Sequence, residues 1–307
     1  MCCKKRYSYY AFGLNILSDI ELLGLIKSND SSYQLEIIEG TIPNKIQQQE
    51  IDKSLVFKYN NNECWMYIDN IGHFYVKNGE KIIVEPEANI KLDLLRAYLL
   101  SNALSMVFLQ KKLIALHGSA VVIDNSAFVL TGNSGAGKST ISRLLIQNGF
   151  KFLTDDISVI INNNDINYVH PSFPFQRLCN DTIKHLKIDT NSSYSDNDKC
   201  IIDMSEFFIN RPIPLVGIIE LVFCSKSNVN TSLKEIKGVQ KLKSFLNNLY
   251  YCQFQKVLGI DNKLFSNITK NILSIPYYKF ERPNNGFILK EQNKLIIELI
   301  LQLANGF

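Results

Sequence analysis

A glycine-rich stretch in the middle of the chain is the part of this sequence whose residue types and spacing point to chemistry. Residues 132–140 fit the pattern G-x-x-x-x-G-K-[ST] of a phosphate-binding loop. In such a loop, backbone N–H groups and the N-terminus of the next helix point at nucleotide phosphates. Lys138 is expected to reach the outer phosphates, and the Ser139 hydroxyl is expected to hold Mg²⁺. The whole stretch is predicted to bind the nucleotide: Gly132, Asn133, Ser134, Gly135, Ala136, Gly137, Lys138, Ser139 and Thr140.

Two adjacent carboxylates follow the second strand that we predict around this loop. Ser126–Thr131 predicts a strand before the loop, Ile141–Ile146 predicts a helix after it, and Phe150–Leu153 predicts a second strand. A crossover of this kind makes the two strands parallel, so that both end at the same edge of the sheet. Asp155 and Asp156 therefore lie beside the phosphates, where a divalent metal offsets the concentrated negative charge. Because adjacent strand residues face opposite ways, we expect the two aspartates to have different tasks.

One histidine is aimed at the same place by the hairpin that precedes the loop. Leu113–Ile123 predicts a strand, and Asp124-Asn125 predicts a two-residue turn into Ser126–Thr131. Pairing Ile123 with Ser126 fixes the register and sets His117 opposite Gly132. His117 is therefore predicted to lie at the mouth of the nucleotide site.

Three basic residues further along are candidate contacts to a phosphate or an acidic substrate group: Arg177, Lys199 and Arg211. Arg177 ends a proline-broken loop that leaves the aspartate region, and a surface position suits it equally well. Lys199 ends the polar, aperiodic stretch Ile188–Lys199, which predicts a mobile loop of the kind that forms a lid.

The hydrophobic pattern of the rest of the chain predicts an α/β fold. A smaller β-rich N-terminal subdomain precedes a P-loop-containing mixed sheet with flanking helices. Short alternating runs separated by polar turns predict strands within residues 1–86. Apolar residues at helical spacing then predict one connecting helix over residues 87–112. Residues 113–307 are assigned to the catalytic domain.

Composition excludes several other classes of protein. The 307 residues carry a formal net charge of +4 with no dense Lys/Arg stripe, so we expect no nucleic-acid partner. Seven scattered cysteines without zinc-ligand spacing indicate reduced thiols in the cytoplasm. No apolar run approaches the ~18 residues of a membrane span, so no membrane partner is expected. Asp19 and Glu21 interrupt the first apolar stretch, which argues against a signal peptide.

Taken together, His117-Gly118, residues 132–140 and Asp155-Asp156 resemble the catalytic domain of the bacterial HPr kinase/phosphorylase family in order and spacing. The resemblance covers roughly residues 110–225. It implies an HPr kinase C-terminal domain-like fold that uses ATP and Mg²⁺. It further implies that Asp155 is the general base, that His117 is its partner, and that Asp156 is a carboxylate associated with the metal.

The sequence also departs from that family. Thr140 stands where the family commonly has Glu, and the family's later Glu/Arg-rich signature is missing from Asp189–Asp203. Tyr9–Leu14 and Pro171–Leu178 look more like the HPr-kinase-like proteins of peptide-maturation gene clusters. In lasso-peptide clusters such kinases phosphorylate a serine of a precursor peptide. The resemblance therefore implies a cytoplasmic serine kinase that acts on a ribosomal, lasso-type precursor peptide.

Two other functions are compatible with the same motifs. A small-metabolite kinase of the same fold needs the same catalytic residues, whereas a non-transferring nucleotide-dependent switch does not need a general base. The sequence leaves open the acceptor, the preferred phosphoryl donor and any reverse phosphorylase activity. It also leaves open whether the protein is a homo-oligomer: HPr kinases are hexameric, but no local signature indicates that here.

Overall fold

The structure is a computed structural model that describes residues 5–43, 56–59, 62–189, 194–196, 199–224, 231–250, 261–283 and 290–306. The chain divides into two compact units, Met1–Leu113 and Ile114–Phe307. It is a mixed α/β protein with several sheets. The described cysteines, Cys64, Cys179, Cys200 and Cys224, are all free thiols.

The first unit contains an eight-stranded sheet in the order β3-β1-β2-β4-β8-β7-β6-β5. Its strands are β1 (Tyr7–Ala11), β2 (Leu14–Ser18), β3 (Ile26–Lys27), β4 (Leu35–Glu39), β5 (Val56–Tyr59), β6 (Glu63–Ile68), β7 (Gly72–Lys77) and β8 (Lys81–Pro86). Most neighbours are antiparallel, but β4 runs parallel to both β2 and β8. Asn78 and Gly79 adopt positive φ in the tight turn between β7 and β8, as an Asn-Gly hairpin requires.

A helical stretch follows this sheet and belongs to the first unit by its contacts. It consists of α1 (Leu92–Tyr98), a π-helical turn (Leu99–Ala103) and α2 (Leu104–Gln110). The predicted helix over residues 87–112 is thus shorter at both ends. One helical segment has the length and mean hydropathy of a membrane span, although charged and polar residues interrupt it. Among the described residues, this segment is Leu92–Gln110, with half of its apolar window buried, as in a core helix.

The second unit is built around a larger sheet in the order β10-β9-β12-β13-β17-β19-β18, and β11 pairs with β9. A separate three-stranded sheet has the order β14-β16-β15. The strands are β9 (Ile114–Ile123), β10 (Ser126–Thr131), β11 (Lys151–Thr154), β12 (Ile157–Asn163), β13 (Ile166–His170), β14 (Phe175–Cys179), β15 (Tyr194–Asp196), β16 (Lys199–Asp203), β17 (Ile213–Cys224), β18 (Ser232–Glu235) and β19 (Tyr277–Pro283).

Several helices accompany these strands in the second unit. They are α3 (Lys138–Gln147), α4 (Asn180–Leu186), α5 (Gly238–Asn247), α6 (Asn262–Ile272) and α7 (Lys290–Asn305). The apolar side of α3, with Ile141 and Leu145, packs with Phe128 and Leu130 of β10 in the main core cluster. Gly149 follows α3 at positive φ, the conformation in which glycine commonly ends a helix. This packing fixes the N-terminus of α3 above the carboxyl end of β10.

The predicted hairpin and its register are confirmed. Ser126 lies opposite Ile123, and the pairing continues to Thr131 opposite Gly118. Both β10 and β11 are antiparallel to β9, so they run in the same direction, as predicted, with β9 between them. The stretch predicted as a mobile loop, residues 188–199, contains β15 and the start of β16 instead. Residues 190–193 and 197–198 of that prediction lie outside the described residues.

Candidate active site

The glycine-rich loop occupies residues 132–137, between the end of β10 and the start of α3. The predicted strand and helix on its two sides are therefore present. Gly132 has a φ of 135°, and a Cβ atom there would lie 2.4 Å from the main-chain oxygen of Leu221. A side chain is excluded at Gly132 both by its backbone conformation and by the neighbouring strand. The loop is thus pinned closely against β17.

Replacing Gly132 with alanine is expected to lower the free energy of unfolding by about 2 kcal/mol or more, because a left-handed backbone and a backbone clash add together. Gly149→Ala is the matched control. Gly149 also has a positive φ, but nothing lies within 4 Å of a Cβ atom built there. Chemical denaturation of both variants measures the difference. If both variants lost the same free energy of unfolding, the close approach of Leu221 to Gly132 would not contribute to stability.

Lys138 is the first residue of α3, and its side chain folds back over the loop. Its Nζ donates hydrogen bonds to the main-chain oxygens of Gly132 (2.9 Å) and Asn133 (3.1 Å). Burial lowers the pKa of Lys138, while the nearby carboxylates of Asp156 and Asp155 oppose that shift. The ammonium group therefore sits inside the loop, where the predicted phosphates would lie.

Asp155 is a buried carboxylate at the end of β11 that contacts the loop. Its Oδ1 accepts hydrogen bonds from the hydroxyls of Ser119 and Ser139, the latter at 3.3 Å. Its Oδ2 accepts the main-chain N–H of Arg177 at 3.0 Å. Burial raises the pKa of Asp155, and these three hydrogen bonds oppose the shift. The oxygens of Asp155 and Ser139 form the kind of hard donor pair that Mg²⁺ prefers, so they fit that ion.

Mg²⁺ commonly keeps several water ligands and shares substrate phosphates, so it needs few protein ligands. Within the part of the chain that the structure describes, no cluster of three or more His, Cys, Asp or Glu side chains forms a metal cage. A pair such as Ser139 and Asp155 is consistent with a phosphate-bound cation.

Asp156 lies next to His117. The Oδ1 atom of Asp156 is 3.4 Å from Nδ1 of His117, and 44% of the Asp156 side chain is exposed. Asp156 has a φ of 66°, a left-handed conformation that turns the chain back toward β9, where its main-chain oxygen accepts the N–H of Gly118. Burial and the charge of Lys138 lower the pKa of His117, and the Asp156 carboxylate opposes them.

The family resemblance implies that His117 is the partner of Asp155, whereas the contact found in the structure is with Asp156. The structure pairs His117 with Asp156, because the left-handed backbone at Asp156 directs the second carboxylate to β9. Asp155 instead stays in line with β11 and reaches Ser119 and Ser139. The two aspartates have different partners because both follow the end of β11 and the backbone at Asp156 is left-handed.

A short segment after α5 supports His117 from the other side. The His117 main-chain N–H donates to the oxygen of Asn248 at 2.8 Å, and the Tyr250 N–H donates to Ala115. The ring of Tyr250 lies 6.0 Å from the His117 ring, centroid to centroid. Burial and the Asp156 charge raise the pKa of Tyr250. The backbone of His117 is thus held by Asn248, and the ring of Tyr250 lies beside its side chain.

The loop, the two aspartates and His117 line one cleft of about 300 Å³. The residues predicted from the sequence that line it are His117, Ser134, Gly135, Gly137, Lys138, Ser139, Thr140, Asp155, Asp156, Arg177 and Lys199. Gly132, Asn133 and Ala136 belong to the same loop. Arg211 lies elsewhere: its guanidinium donates to Asn125, in the turn at the opposite end of β10. The structure therefore does not bring Arg211 to the candidate site.

The cleft also contains residues that the sequence patterns did not indicate: Ser119, Leu178, Cys179, Thr182, Phe223 and Arg282. Ser119 lies two positions after His117 on β9, and strand alternation could have placed it on the same face. The Thr182 hydroxyl bonds that of Thr140 at 2.9 Å. Phe223 and Arg282 lie near the carboxyl ends of β17 and β19, and only the strand order brings them here.

Comparisons with known proteins found similarity among solved structures. No protein-family model matches the chain, and no curated protein matches it significantly. Among solved structures, it is similar to the HPr(Ser) kinase/phosphatase from Coxiella burnetii, with 16% sequence identity and a TM-score of 0.33. The match covers 61% of this chain and 94% of that chain.

Proposed function

We propose that this protein is an ATP- and Mg²⁺-dependent kinase that transfers the γ-phosphoryl group to a serine hydroxyl of a peptide. The observation that carries the proposal is the meeting of three features in one cleft. Lys138 lies inside the glycine-rich loop, Ser139 and Asp155 present oxygens beside it, and Asp156 stands with His117 at the open side. Phosphoryl transfer needs these elements: positioning of the phosphates, neutralisation of their charge and a base for the acceptor.

The contacts of the two aspartates support separate roles. Asp155 is buried, accepts three hydrogen bonds and shares one with Ser139, so we assign it to the cation. Bound there, Mg²⁺ would neutralise charge on the β- and γ-phosphates. Asp156 is partly exposed and faces His117, so we assign it as the base that an acceptor hydroxyl can reach. This exchanges the roles that the family resemblance implies for the two residues.

The acceptor oxygen bonds to the γ-phosphorus, the bond from that phosphorus to the bridging oxygen breaks, and the electron pair leaves with ADP. The hydroxyl proton passes to the carboxylate of Asp156. His117 holds this carboxylate in place from 3.4 Å away. Lys138 leaves its loop carbonyls and donates to the outer phosphate oxygens.

The identity of the acceptor is proposed from sequence features. Tyr9–Leu14 and Pro171–Leu178 resemble kinases of peptide-maturation clusters, which favours a serine of a ribosomal lasso-type precursor peptide in the cytoplasm. Arg177 and Lys199 line the cleft on the three-stranded sheet, where they offer positive charge to a phosphate or an acidic group of that peptide.

Intact-mass spectrometry tests the proposal. The full-length protein is incubated with Mg²⁺, ATP and the small peptide encoded nearest this gene, with Asp156→Asn protein as the control. We expect the peptide to gain one phosphoryl group that is absent in the control, and fragmentation to locate it on a serine. Transfer to a free amino acid or sugar, without any transfer to peptides, would instead identify a metabolite kinase. ATP binding without transfer to any acceptor would identify a nucleotide-dependent switch.

A further inference from the structure

The order of strands in the second unit sets the direction in which a bound nucleotide must run. Side by side, the strands are β11, β9, β10, β17 and β19, and the loop follows β10. The phosphate that is transferred must face Asp156 and His117, which lie on the β11 and β9 side. The nucleoside, at the other end of the bound nucleotide, therefore extends away from Asp156 and His117, over β17 and β19. Two strand spacings reach about 10 Å in that direction.

The carboxyl ends of β17 and β19 present a matched pair of side chains at that place. Both strands run parallel to β10, and Phe223 lies directly opposite Arg282 in their register. The guanidinium carbon of Arg282 lies 4.2 Å from the centroid of the Phe223 ring. Nη2 of Arg282 also contacts the main-chain oxygen of Ala136 in the loop, at 3.5 Å. Both side chains line the cleft.

Arg282 is largely desolvated, whereas Phe223 is partly exposed. Only 5% of Arg282 is exposed, and burial lowers the pKa of its guanidinium. Contacts with the ring and with the loop carbonyl hold the planar group in one orientation. A flat, preformed surface of this kind suits the face of a nucleobase, because bases stack on aromatic rings and on arginine planes.

We propose that Phe223 and Arg282 form the platform on which the base of the nucleotide donor stacks. This rests on the proposed kinase function, for which it names the base-binding part of the cleft. Stacking involves the faces of bases and not their hydrogen-bonding edges, so the platform accepts adenine and guanine alike. The glycine-rich loop and Lys138 bind the phosphates separately.

Calorimetric titration with three magnesium complexes tests this assignment: ATP, GTP and inorganic tripolyphosphate. In Phe223→Leu, which keeps an apolar side chain, we expect the dissociation constants for ATP and GTP to rise about tenfold. Binding of tripolyphosphate should stay within about twofold, which also shows that the variant is folded. Phe207→Leu is the matched control, because Phe207 likewise has a cation, Lys151, above its ring, at 5.8 Å. Phe207 does not line the cleft.

The outcomes separate this inference from the proposed function. Equal losses for ATP and tripolyphosphate, or no loss for either, would overturn the platform while leaving the kinase in place. Wild-type protein that binds ATP no more tightly than tripolyphosphate would do the same. Wild-type protein that binds neither complex would overturn the proposed function, and the platform with it. A Phe223→Tyr variant, unlike Phe223→Leu, should bind ATP as wild type does, because it keeps an aromatic ring at this position.

Discussion

Lys138→Met protein is expected to lose ATP-dependent transfer by a factor of about 10²–10³, the loss that follows removal of one preorganised charged donor from such a site. The fold should survive, because methionine fills the same space and removes a buried charge. Lys138 donates to two loop carbonyls, and its place inside the loop is where outer phosphates would bind. Single-turnover transfer and calorimetric ATP binding measure the effect.

A second buried lysine supplies the control. Lys241 is 5% exposed, and its Nζ donates to the main-chain oxygens of Leu273 and Ile275, so it repeats the pattern of Lys138 away from the cleft. Lys241→Met should change stability but leave transfer within about twofold of wild type. If Lys138→Met transferred phosphate as fast as Lys241→Met, the loop would not be the phosphate site.

The second large effect concerns the two aspartates. In Asp156→Asn we expect transfer to fall by about 10²–10³, because an amide cannot take the acceptor proton, while Mg·ATP still binds. In Asp155→Asn we expect the dissociation constant for Mg·ATP to rise about tenfold or more, because the buried partner of Ser139 loses its charge. Transfer rates at saturating ATP and calorimetric binding distinguish the two losses.

The reverse result would restore the roles implied by the family resemblance. If Asp155→Asn bound Mg·ATP normally and failed in transfer, while Asp156→Asn transferred at the wild-type rate, then Asp155 would be the base. His117→Gln offers an independent check. It keeps a hydrogen-bonding side chain beside Asp156, so we expect a smaller loss of transfer than in Asp156→Asn.

Much of the fold around the site could be predicted because it depends on local patterns. The turn at Asp124-Asn125 fixes the pairing of β9 with β10, and that register was predicted residue by residue. The common direction of β10 and β11 follows from the helical crossover that joins them, which returns the chain to the edge where β10 begins. The helical stretch at 92–110 is harder to predict in detail. Its π-helical turn depends on how both faces pack and not on the spacing of apolar residues alone.

The sequence by itself determined the glycine-rich loop and the helix after it, since glycines with positive φ and a lysine at the start of a helix are local features. It also brought His117, Asp155 and Asp156 to one edge of the sheet. Only the tertiary structure decided which aspartate faces the histidine, because that depends on a left-handed backbone at Asp156. It alone placed Arg211 at the far end of β10 and Arg282 in the cleft. Contacts between residues more than a hundred positions apart, such as Arg282 with Ala136, depend on strand order, which no local pattern encodes.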